Sequence, residues 1–442
     1  MVGALMSVFL KALKIAEESG PELPFHYFYI LPFALMLSIW IIKTFAKDAS
    51  GHGTEKVIEA VHKKGGQIKV AVIPVKIVAT LLTIFSGGSV GKEGPGAQIG
   101  AGAASFASSI LGFSKVDRKK LVICGISAGF ASVFGTPIAG AIFGIEVLII
   151  GVIMYDVLLP SFIAGFAAFT TCQLLGIHYT YYEIDFFKTI SLNLTLIGKV
   201  LIGGIFFGFV SAFFVTAVQK IEEFFEKIPY NVYLKAFVAG LVMVGITVLM
   251  DERYLGLGLS TIASALNPEG IFSQDISWYD FILKTIFTSL TLGAGGSGGV
   301  ITPVFYIGAT SGAVFGHVMG DNVGLFAALG FVSVLAGTTN SPIASIIMAV
   351  ELFGVQMANY AAVSVVIAFL ITGHRSIFPS QKLALSKAGN IDIGEGVDIE
   401  HTPISINMKD IDRVRHIRST LRYKRIKWQV KHARKDDKNH KV

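Results

Sequence analysis

A single glutamate stands in a glycine-rich stretch of an otherwise apolar chain. Glu93 lies within GGSVGKEGPGAQIG (87–100), two residues before Pro95 and ahead of a run of small residues. Proline suits the first turn of a helix, because the N–H group that it lacks would have no partner there. We therefore predict a helix that begins near Glu93. Its unpaired N–H groups and the positive end of its dipole would form a binding site for an anion.

The Glu93 carboxylate is itself an anion that such a site could hold. A charged side chain inside a membrane costs about 3 kcal/mol or more, so it is kept where it is hydrated, protonated or hydrogen-bonded. We interpret Glu93 as a tethered competitor of a permeant anion. It blocks the site when bound, and it opens the site when it swings away or takes up a proton. The alternative is a glutamate that caps a helix at the membrane surface.

A second glycine-rich break, GGSGGVITP (295–303), repeats this pattern without an acid. Val300 and Ile301 can offer an anion only their backbone N–H groups. One helix N-terminus contributes about 0.3–1 kcal/mol, and about 2 kcal/mol when it is partly buried. Because dehydrating a small ion costs several kcal/mol, we expect several helix ends to converge on one site.

Neither glycine run is typical of a nucleotide-binding loop. SGGSVGK (86–92) lacks the first glycine of a Walker A loop, and Glu93 stands where that loop carries Ser or Thr. GAGGSG (293–298) fits G-x-G-x-x-G by letter, but no alternating β–α–β pattern surrounds it. The sequence also contains no paired catalytic acids, HExxH or Ser–His constellation. We predict neither an enzyme nor a bound cofactor.

Two further breaks carry side chains that could meet an anion. SGHGT (50–54) precedes a predicted helix, and the ring N–H of His52 could donate to an anion. The alternative for His52 is a histidine in a surface loop. GHRSIFPSQ (373–381) follows the last apolar segment, and Phe378 could line the inner mouth of a pore. The alternative there is a plain helix boundary.

The cysteine pattern indicates no metal and no disulfide framework. Cys124 and Cys172 lie far apart in apolar stretches, without the spacing of metal ligands. We expect both to be buried free thiols, and we predict no metal site. No cleavable signal peptide is expected. Met1 opens directly into an apolar segment that we interpret as the second part of a first helix.

The elements that position these residues are membrane helices. Of the 442 residues 53% are hydrophobic and 15% are charged, and no Lys, Arg, Asp or Glu occurs from Thr285 to Gly320. Runs of this kind predict an all-α polytopic membrane protein in the plasma or inner membrane. Candidate segments run near 1–15, 25–46, 68–86, 94–112, 121–134, 137–155, 157–176, 191–218, 234–250, 281–293, 301–319, 323–336, 342–358 and 360–372. Many are shorter than a spanning helix of about 20 residues and are broken by Gly or Pro, which indicates a transport site.

An internal repeat divides the chain into two halves, about 1–190 and 191–383. PIAGAIFGIE (137–146) and PIASIIMAVE (342–351) agree at five of ten positions. Each follows one of the glycine-rich breaks. Two halves with matching broken helices predict a binding site at their interface, near the midplane of the bilayer. Chance similarity between apolar sequences is the alternative.

The positive charge is concentrated in a basic tail, 384–442. From Ser405 to Val442 thirteen Lys or Arg stand against four Asp, a net of +9, whereas the whole chain carries +7. A basic segment after the last membrane helix predicts a cytoplasmic C-terminus whose cations can touch anionic lipid heads. We expect no nucleic-acid binding, because neither a suitable fold nor interleaved aromatic residues support it.

Together these motifs resemble the CLC family of chloride channels and chloride/proton exchangers. The resemblance covers roughly residues 1–383. It rests on GKEGPGAQIG, GGVITP and the TPIAGAIFGIE/SPIASIIMAVE pair, and SGHGTEKV looks like the first signature of that family. It implies an inverted repeat with broken and re-entrant helices. It also implies a homodimer with one anion pore in each subunit.

The resemblance implies roles for individual residues. Glu93 corresponds to the outer gate of the family. The amides near Gly94, Val300 and Ile301 correspond to ligands of chloride or another small anion. Lys76, seventeen residues before Glu93, matches an intramembrane lysine that raises the local positive potential. The alternative is a lysine that snorkels to the membrane interface.

Three positions depart from the family pattern. The anion-binding serine aligns with His52, so the inner hydroxyl ligand is absent unless Ser50 or Thr54 replaces it. The pore tyrosine aligns with Phe378, which keeps the ring and loses the hydroxyl. Val147 stands where well-studied exchangers carry an internal proton glutamate. We therefore predict a passive chloride channel gated by voltage or pH through Glu93, with a chloride/proton antiporter as the alternative. For Glu146 a structural role at the contact of the halves is expected, with proton transfer as the alternative.

Overall fold

The computed structural model describes residues 1–20, 26–179, 194–267, 275–385 and 387, and the backbone of 391–392 and 405–406. The helices of the first half are α1 (Val2–Ser19), α2 (Leu31–Phe45), α3 (Gly53–Lys63), α4 (Val72–Phe85), α5 (Glu93–Ile110), α6 (Lys115–Phe134), α7 (Pro137–Glu146) and α8 (Leu158–Leu174). Those of the second half are α9 (Leu194–Lys227), α10 (Val232–Leu249), α11 (Leu259–Leu266), α12 (Asp280–Gly293), α13 (Ile301–Val318), α14 (Val323–Thr339), α15 (Pro342–Phe353) and α16 (Ala358–Thr372). Two-residue strands form a parallel pair, β1 (Ile149–Ile150) with β2 (Lys382–Leu383), and an antiparallel pair, β3 (Ile391–Asp392) with β4 (Ser405–Ile406).

The helices have the lengths of a polytopic membrane protein with interrupted spans. Five described helical stretches are long and apolar enough to cross a membrane: Tyr27–Phe45, Tyr155–Leu174, Leu194–Lys227, Val232–Leu249 and Val355–Thr372. α4, α7, α14 and α15 are apolar but only 10–17 residues long. Helix ends at membrane depth are tolerated where surrounding protein satisfies the backbone. The all-α membrane class and the broken helices expected from the sequence are confirmed.

The two halves repeat one order of helices. α3–α8 correspond to α11–α16: α5 and α13 both follow a glycine-rich break, and α7 and α15 both begin at a proline. Backbone-to-backbone contacts are repeated as well. A Cβ on Gly125 of α6 would lie 2.8 Å from Ala101 Cα, and a Cβ on Gly308 of α13 would lie 2.8 Å from Phe331 Cα. Small residues permit this close approach of membrane helices. The inverted repeat that the sequence predicted is confirmed.

Some segment boundaries differ from the expectation. α7 ends at Glu146 rather than near 155, because the chain turns into β1 and Gly151 then adopts a positive φ of 88°. α9 is one helix of 34 residues that continues to Lys227, beyond the expected end near 218. α11 was not expected, since eight residues that include Ser260 are too few for a clear apolar signal. The basic tail, 384–442, lies largely outside the described residues.

Candidate anion-binding site

The two glycine-rich breaks meet between the halves. Gly91 donates its N–H to the Gly299 carbonyl oxygen (2.7 Å) and accepts the Gly299 N–H in return (2.6 Å). α5 begins two residues after Gly91, at Glu93, and α13 begins two residues after Gly299, at Ile301. The predicted helix start at Glu93 is confirmed. This bridge holds the N-termini of α5 and α13 against each other.

The N-terminus of α3 joins the same place. His52, directly before α3, forms a parallel backbone bridge with Gly298. A Cβ on Gly94 would lie 2.9 Å from Gly299 Cα and 3.0 Å from the Gly53 nitrogen. Glycine is required at this position because the neighbouring backbones leave no room for a side chain. Three helix N-termini, each with a positive dipole end, therefore converge around Gly94.

α13 offers backbone donors at this point. Its first intrahelical bond runs from the Val304 N–H to the Val300 carbonyl (3.0 Å), and Pro303 has no N–H. The N–H groups of Ile301 and Thr302 therefore have no acceptor within their own helix. The side chains of Val300 and Ile301 are 2% and 1% exposed and pack in the apolar core. What these two residues can offer an anion is their backbone alone.

The Glu93 carboxyl group lies at the convergence of these helix ends. Its side chain is fully buried, the Thr302 hydroxyl donates to Oε1, and Oε2 has no hydrogen-bond partner. None of the ion pairs found among the described residues includes Glu93. A buried carboxylate is costly to keep ionised without a cation. Because Glu93 is fully buried, it is not a capping residue at the membrane surface.

His52 and Phe378 lie together on the α3 side of the convergence of helix N-termini around Gly94. Their ring centroids are 5.8 Å apart, and the side chains are 7% and 0% exposed. Nδ1 of His52 has no hydrogen-bond partner. The Phe378 N–H donates to the Ser376 hydroxyl (3.0 Å), which fixes the backbone before the ring. His52 is thus a buried residue rather than a surface-loop histidine.

Lys76 lies directly behind the break that contains His52. Its side chain is fully buried, and Nζ donates to the carbonyl oxygens of Ala49 (3.2 Å) and Gly51 (2.5 Å). Snorkelling to an interface would leave the ammonium exposed, so that alternative is wrong. The ammonium places a positive charge beside the backbone that leads into α3.

Glu146 lies away from the glycine-rich breaks. Its two carboxylate oxygens accept the N–H groups of Ile343 (3.0 Å) and Ala344 (2.8 Å), at the start of α15 in the other half. The next residue, Val147, is fully buried, and its carbonyl accepts Nε2 of Gln381 (2.9 Å). The structure therefore does not bring Glu146 together with Glu93.

Thr302 is the residue of the site that the sequence reasoning missed. It follows Ile301 in GGVITP, and we assigned that break only backbone donors. A threonine near a helix start is usual, and its local sequence does not reveal a carboxylate 209 positions away. Only the crossing of the two breaks makes its hydroxyl a partner of Glu93.

Comparison with known proteins identifies the family. The family described as voltage-gated chloride channel matches residues 34–373. The chain belongs to the CLC family. The expectation drawn from the sequence motifs is confirmed at this level, and the protein transports anions across a membrane.

Three known proteins are informative relatives of this CLC protein. A "Chloride/fluoride channel protein" of Pseudomonas syringae pv. tomato is 33% identical over 397 residues, which cover 88% of this chain and 85% of the relative. An "H(+)/Cl(-) exchange transporter ClcA" of Yersinia pestis is 27% identical, over 72% of this chain and 68% of its own. The crystal structure of a CLC-type fluoride/proton antiporter superposes with a TM-score of 0.81 at 30% identity, over 86% of this chain and 95% of its own.

Proposed function

We propose that this CLC protein is an antiporter that exchanges a small halide, chloride or fluoride, for protons. The observation that carries the proposal is the placement of Glu93. Its carboxyl group is buried between the two halves, with one oxygen on Thr302 and the other oxygen unpaired. When a halide occupies this place, the Glu93 carboxyl group must be neutral or displaced. Proton binding to Glu93 is therefore linked to anion binding.

The cycle follows from competition at the N-terminus of α13. In its ionised form Glu93 excludes a halide from the N–H groups of Ile301 and Thr302. A proton from one side neutralises the carboxylate, which then leaves, and a halide from the opposite side takes up the same N–H groups. The halide departs to the side from which the proton came, and Glu93 then returns and releases its proton to the side from which the halide came. Halide and proton thus move in opposite directions, and each turnover moves net charge.

The relatives support antiport over the passive channel that Val147 favoured in the sequence. Two of them are named for proton exchange, one with chloride and one with fluoride. The relative from P. syringae is named a channel for the same two anions. The proton-exchange names agree with a buried, titratable Glu93 in the anion path. Val147 then means that protons reach Glu93 without a carboxylate at that position.

Proton-coupled flux in liposomes tests the proposal. Vesicles loaded with chloride, or in a second series with fluoride, are diluted into halide-poor buffer, and a pH electrode and a halide electrode are read together. We expect the halide gradient to drive protons against their own gradient. Glu93→Gln should abolish proton movement and leave a halide flux that does not respond to external acid. Halide flux through the wild-type protein without proton movement would establish the passive channel instead.

We further propose a homodimer with cytoplasmic C-termini in the plasma or inner membrane. α7, α8, α15 and α16 expose large apolar side chains that include Leu159 (70%), Ile163 (62%) and Val366 (44%). A second copy of the chain covers this face in the proposed dimer. Single-molecule photobleaching of labelled protein in bilayers should show two steps per particle. A predominance of single steps would contradict the dimer.

A further inference from the structure

Lys284 of α12 repeats the arrangement of Lys76 in the other half. Its side chain is fully buried, and Nζ donates to the carbonyl oxygens of Tyr254 (3.0 Å) and Gly256 (2.8 Å). Lys76 donates in the same way to two carbonyls that are two residues apart. Each carbonyl pair precedes a short helix, α3 for Lys76 and α11 for Lys284. The two lysines are therefore equivalent under the inverted repeat.

The sequence contains the same equivalence. The pattern Lys-x3-Thr-x2-Thr-x3-Gly-Gly-Ser runs from 76 to 89 and again from 284 to 297. Lys76 stands seventeen residues before Glu93, and Lys284 stands seventeen residues before Ile301. Both lysines thus lie on the helix that leads into a glycine-rich break, at the same distance from the helix N-terminus that follows the break.

Hydrogen bonds from these two helices cross to the opposite half. In the first half, the Thr80 hydroxyl contacts the Ser297 hydroxyl (3.3 Å), and Thr83 accepts the Ser297 N–H (3.3 Å). Ser297 lies four residues before Ile301. The helix of Lys76 therefore holds the break that leads into α13.

The reverse crossing connects Lys284 with the break of Glu93. The Thr288 hydroxyl contacts the Ser89 hydroxyl (3.1 Å), and Thr291 accepts the Ser89 N–H (3.1 Å). Ser89 lies four residues before Glu93. In an α-helix positions i and i+4 lie on one face, so Lys284 lies one turn from the contact with this break. The Gly256 N–H also donates to the Gly87 carbonyl (3.3 Å) in the same break.

The charge of Lys284 is not cancelled by a direct ion pair. None of the ion pairs found among the described residues includes it. Asp280, one turn earlier, accepts the Tyr254 hydroxyl (2.7 Å) and lies 3.7 Å from Arg253. Glu17 of α1 is the acidic group whose charge reaches Lys284 through space. The ammonium also lies 5.0 Å from the ring centroid of Tyr306 on α13.

We propose that Lys284 is the electrostatic support for anions that enter or leave on the Glu93 side of the pore. Lys76 supplies the matching charge on the His52 side. The ligand of both is the transported halide, so this inference rests on the proposed anion transport. The paired lysines make both entrances positive and keep the central site accessible from either face. Lys284 acts through its field and does not touch the halide.

The test is a sided measurement of halide affinity in oriented proteoliposomes, with chloride and fluoride as the probes. Inside a protein the field of a unit charge is only weakly screened, so removing the charge weakens anion binding more on the nearer side than on the farther side. We expect Lys284→Met to raise the halide KM about tenfold on the Glu93 side and by less than about twofold on the His52 side. Lys76→Met is the matched variant, with the opposite sidedness expected.

A conservative variant separates the charge of Lys284 from its packing. Lys284→Arg keeps the charge, and we expect a KM close to that of the wild type on both sides. If Arg raises the KM as much as Met does, Lys284 acts by packing and the inference is wrong. An unchanged KM in Lys284→Met, with normal wild-type flux, also overturns it. Absence of halide flux in the wild type would instead refute the proposed function.

Discussion

Glu146 and Glu351 each cap a helix of the opposite half. Glu146 accepts the N–H groups of Ile343 and Ala344 at the start of α15. Glu351 accepts those of Ile138 (3.0 Å) and Ala139 (2.7 Å) at the start of α7. Both helices begin with proline, which supplies no N–H, so each carboxylate satisfies the next two donors of the other helix. The two caps join the halves through a reciprocal pair of charge–dipole contacts.

The reciprocal caps predict a loss of stability when either acid is removed. Hydrogen bonds to charged groups contribute about 1.5–3 kcal/mol. We therefore expect Glu146→Ala and Glu351→Ala each to lower the midpoint of thermal unfolding in detergent by several degrees. Glu223→Ala is the control, because Glu223 forms an exposed pair with Lys227, and such pairs contribute about 0.3–0.5 kcal/mol.

A glutamine variant tests proton transfer at Glu146. If Glu146 serves as a cap, Glu146→Gln keeps proton-coupled halide exchange, because Gln still accepts one of the two N–H groups. The measurement is the ratio of proton to halide flux in liposomes. Loss of proton movement with retained halide flux would instead assign Glu146 to the proton path.

Thr302 sets how firmly Glu93 is held. Removal of its hydroxyl in Thr302→Val should favour the released form of the carboxylate by about tenfold or more, since the lost hydrogen bond is to a charged group. We expect faster halide efflux at alkaline pH, where Glu93 is ionised and blocks the site. Thr302→Ser retains the hydroxyl and should behave as the wild type. Equal efflux rates in all three proteins would show that this bond does not limit release.

The close approach of the backbones at Gly94 predicts that a single added methyl group there reduces halide flux. A Cβ there would lie 2.9 Å from Gly299 Cα, and overpacking of this kind costs about 1–3 kcal/mol. We expect Gly94→Ala to lose most halide flux, because the N-termini of α5 and α13 are forced apart. Gly198→Ala is the matched control, since nothing lies within 4 Å of its Cβ position. Wild-type flux in Gly94→Ala would contradict the convergence of helix ends.

Adding a hydroxyl group to the ring of Phe378 should increase the affinity for the halide. Phe378→Tyr places a donor near His52, and one hydrogen bond of about 1 kcal/mol lowers the halide KM about fivefold. Phe378→Leu removes the ring without a donor and should not lower the KM. The measurement is the halide KM on the His52 side. A KM that does not fall in Phe378→Tyr would place the ring outside the anion path.

Local sequence determined the helix starts and the class of the protein. The proline and glycine pattern around Glu93 predicted the N-terminus of α5, and GGVITP predicted that of α13, because helix initiation depends on a few neighbouring residues. The runs without charged residues predicted membrane helices, because charged side chains are costly inside a membrane and their absence can be read directly from the sequence. The repeated Pro-to-Glu segments, 137–146 and 342–351, predicted the two halves.

Only the tertiary structure decided which groups meet. Several contacts join residues about 200 positions apart. They are the hydrogen bond from Thr302 to Glu93, the helix caps formed by Glu146 and Glu351, and the hydrogen bonds that cross from the helices of Lys76 and Lys284 to the opposite half. Such pairs follow from how two inverted halves pack, and no helix or loop propensity encodes them. The sequence therefore predicted where helix N-termini form. Packing decided that Glu93 is buried among three of them, and that Lys76 and Lys284 each donate to two carbonyl oxygens before a short helix.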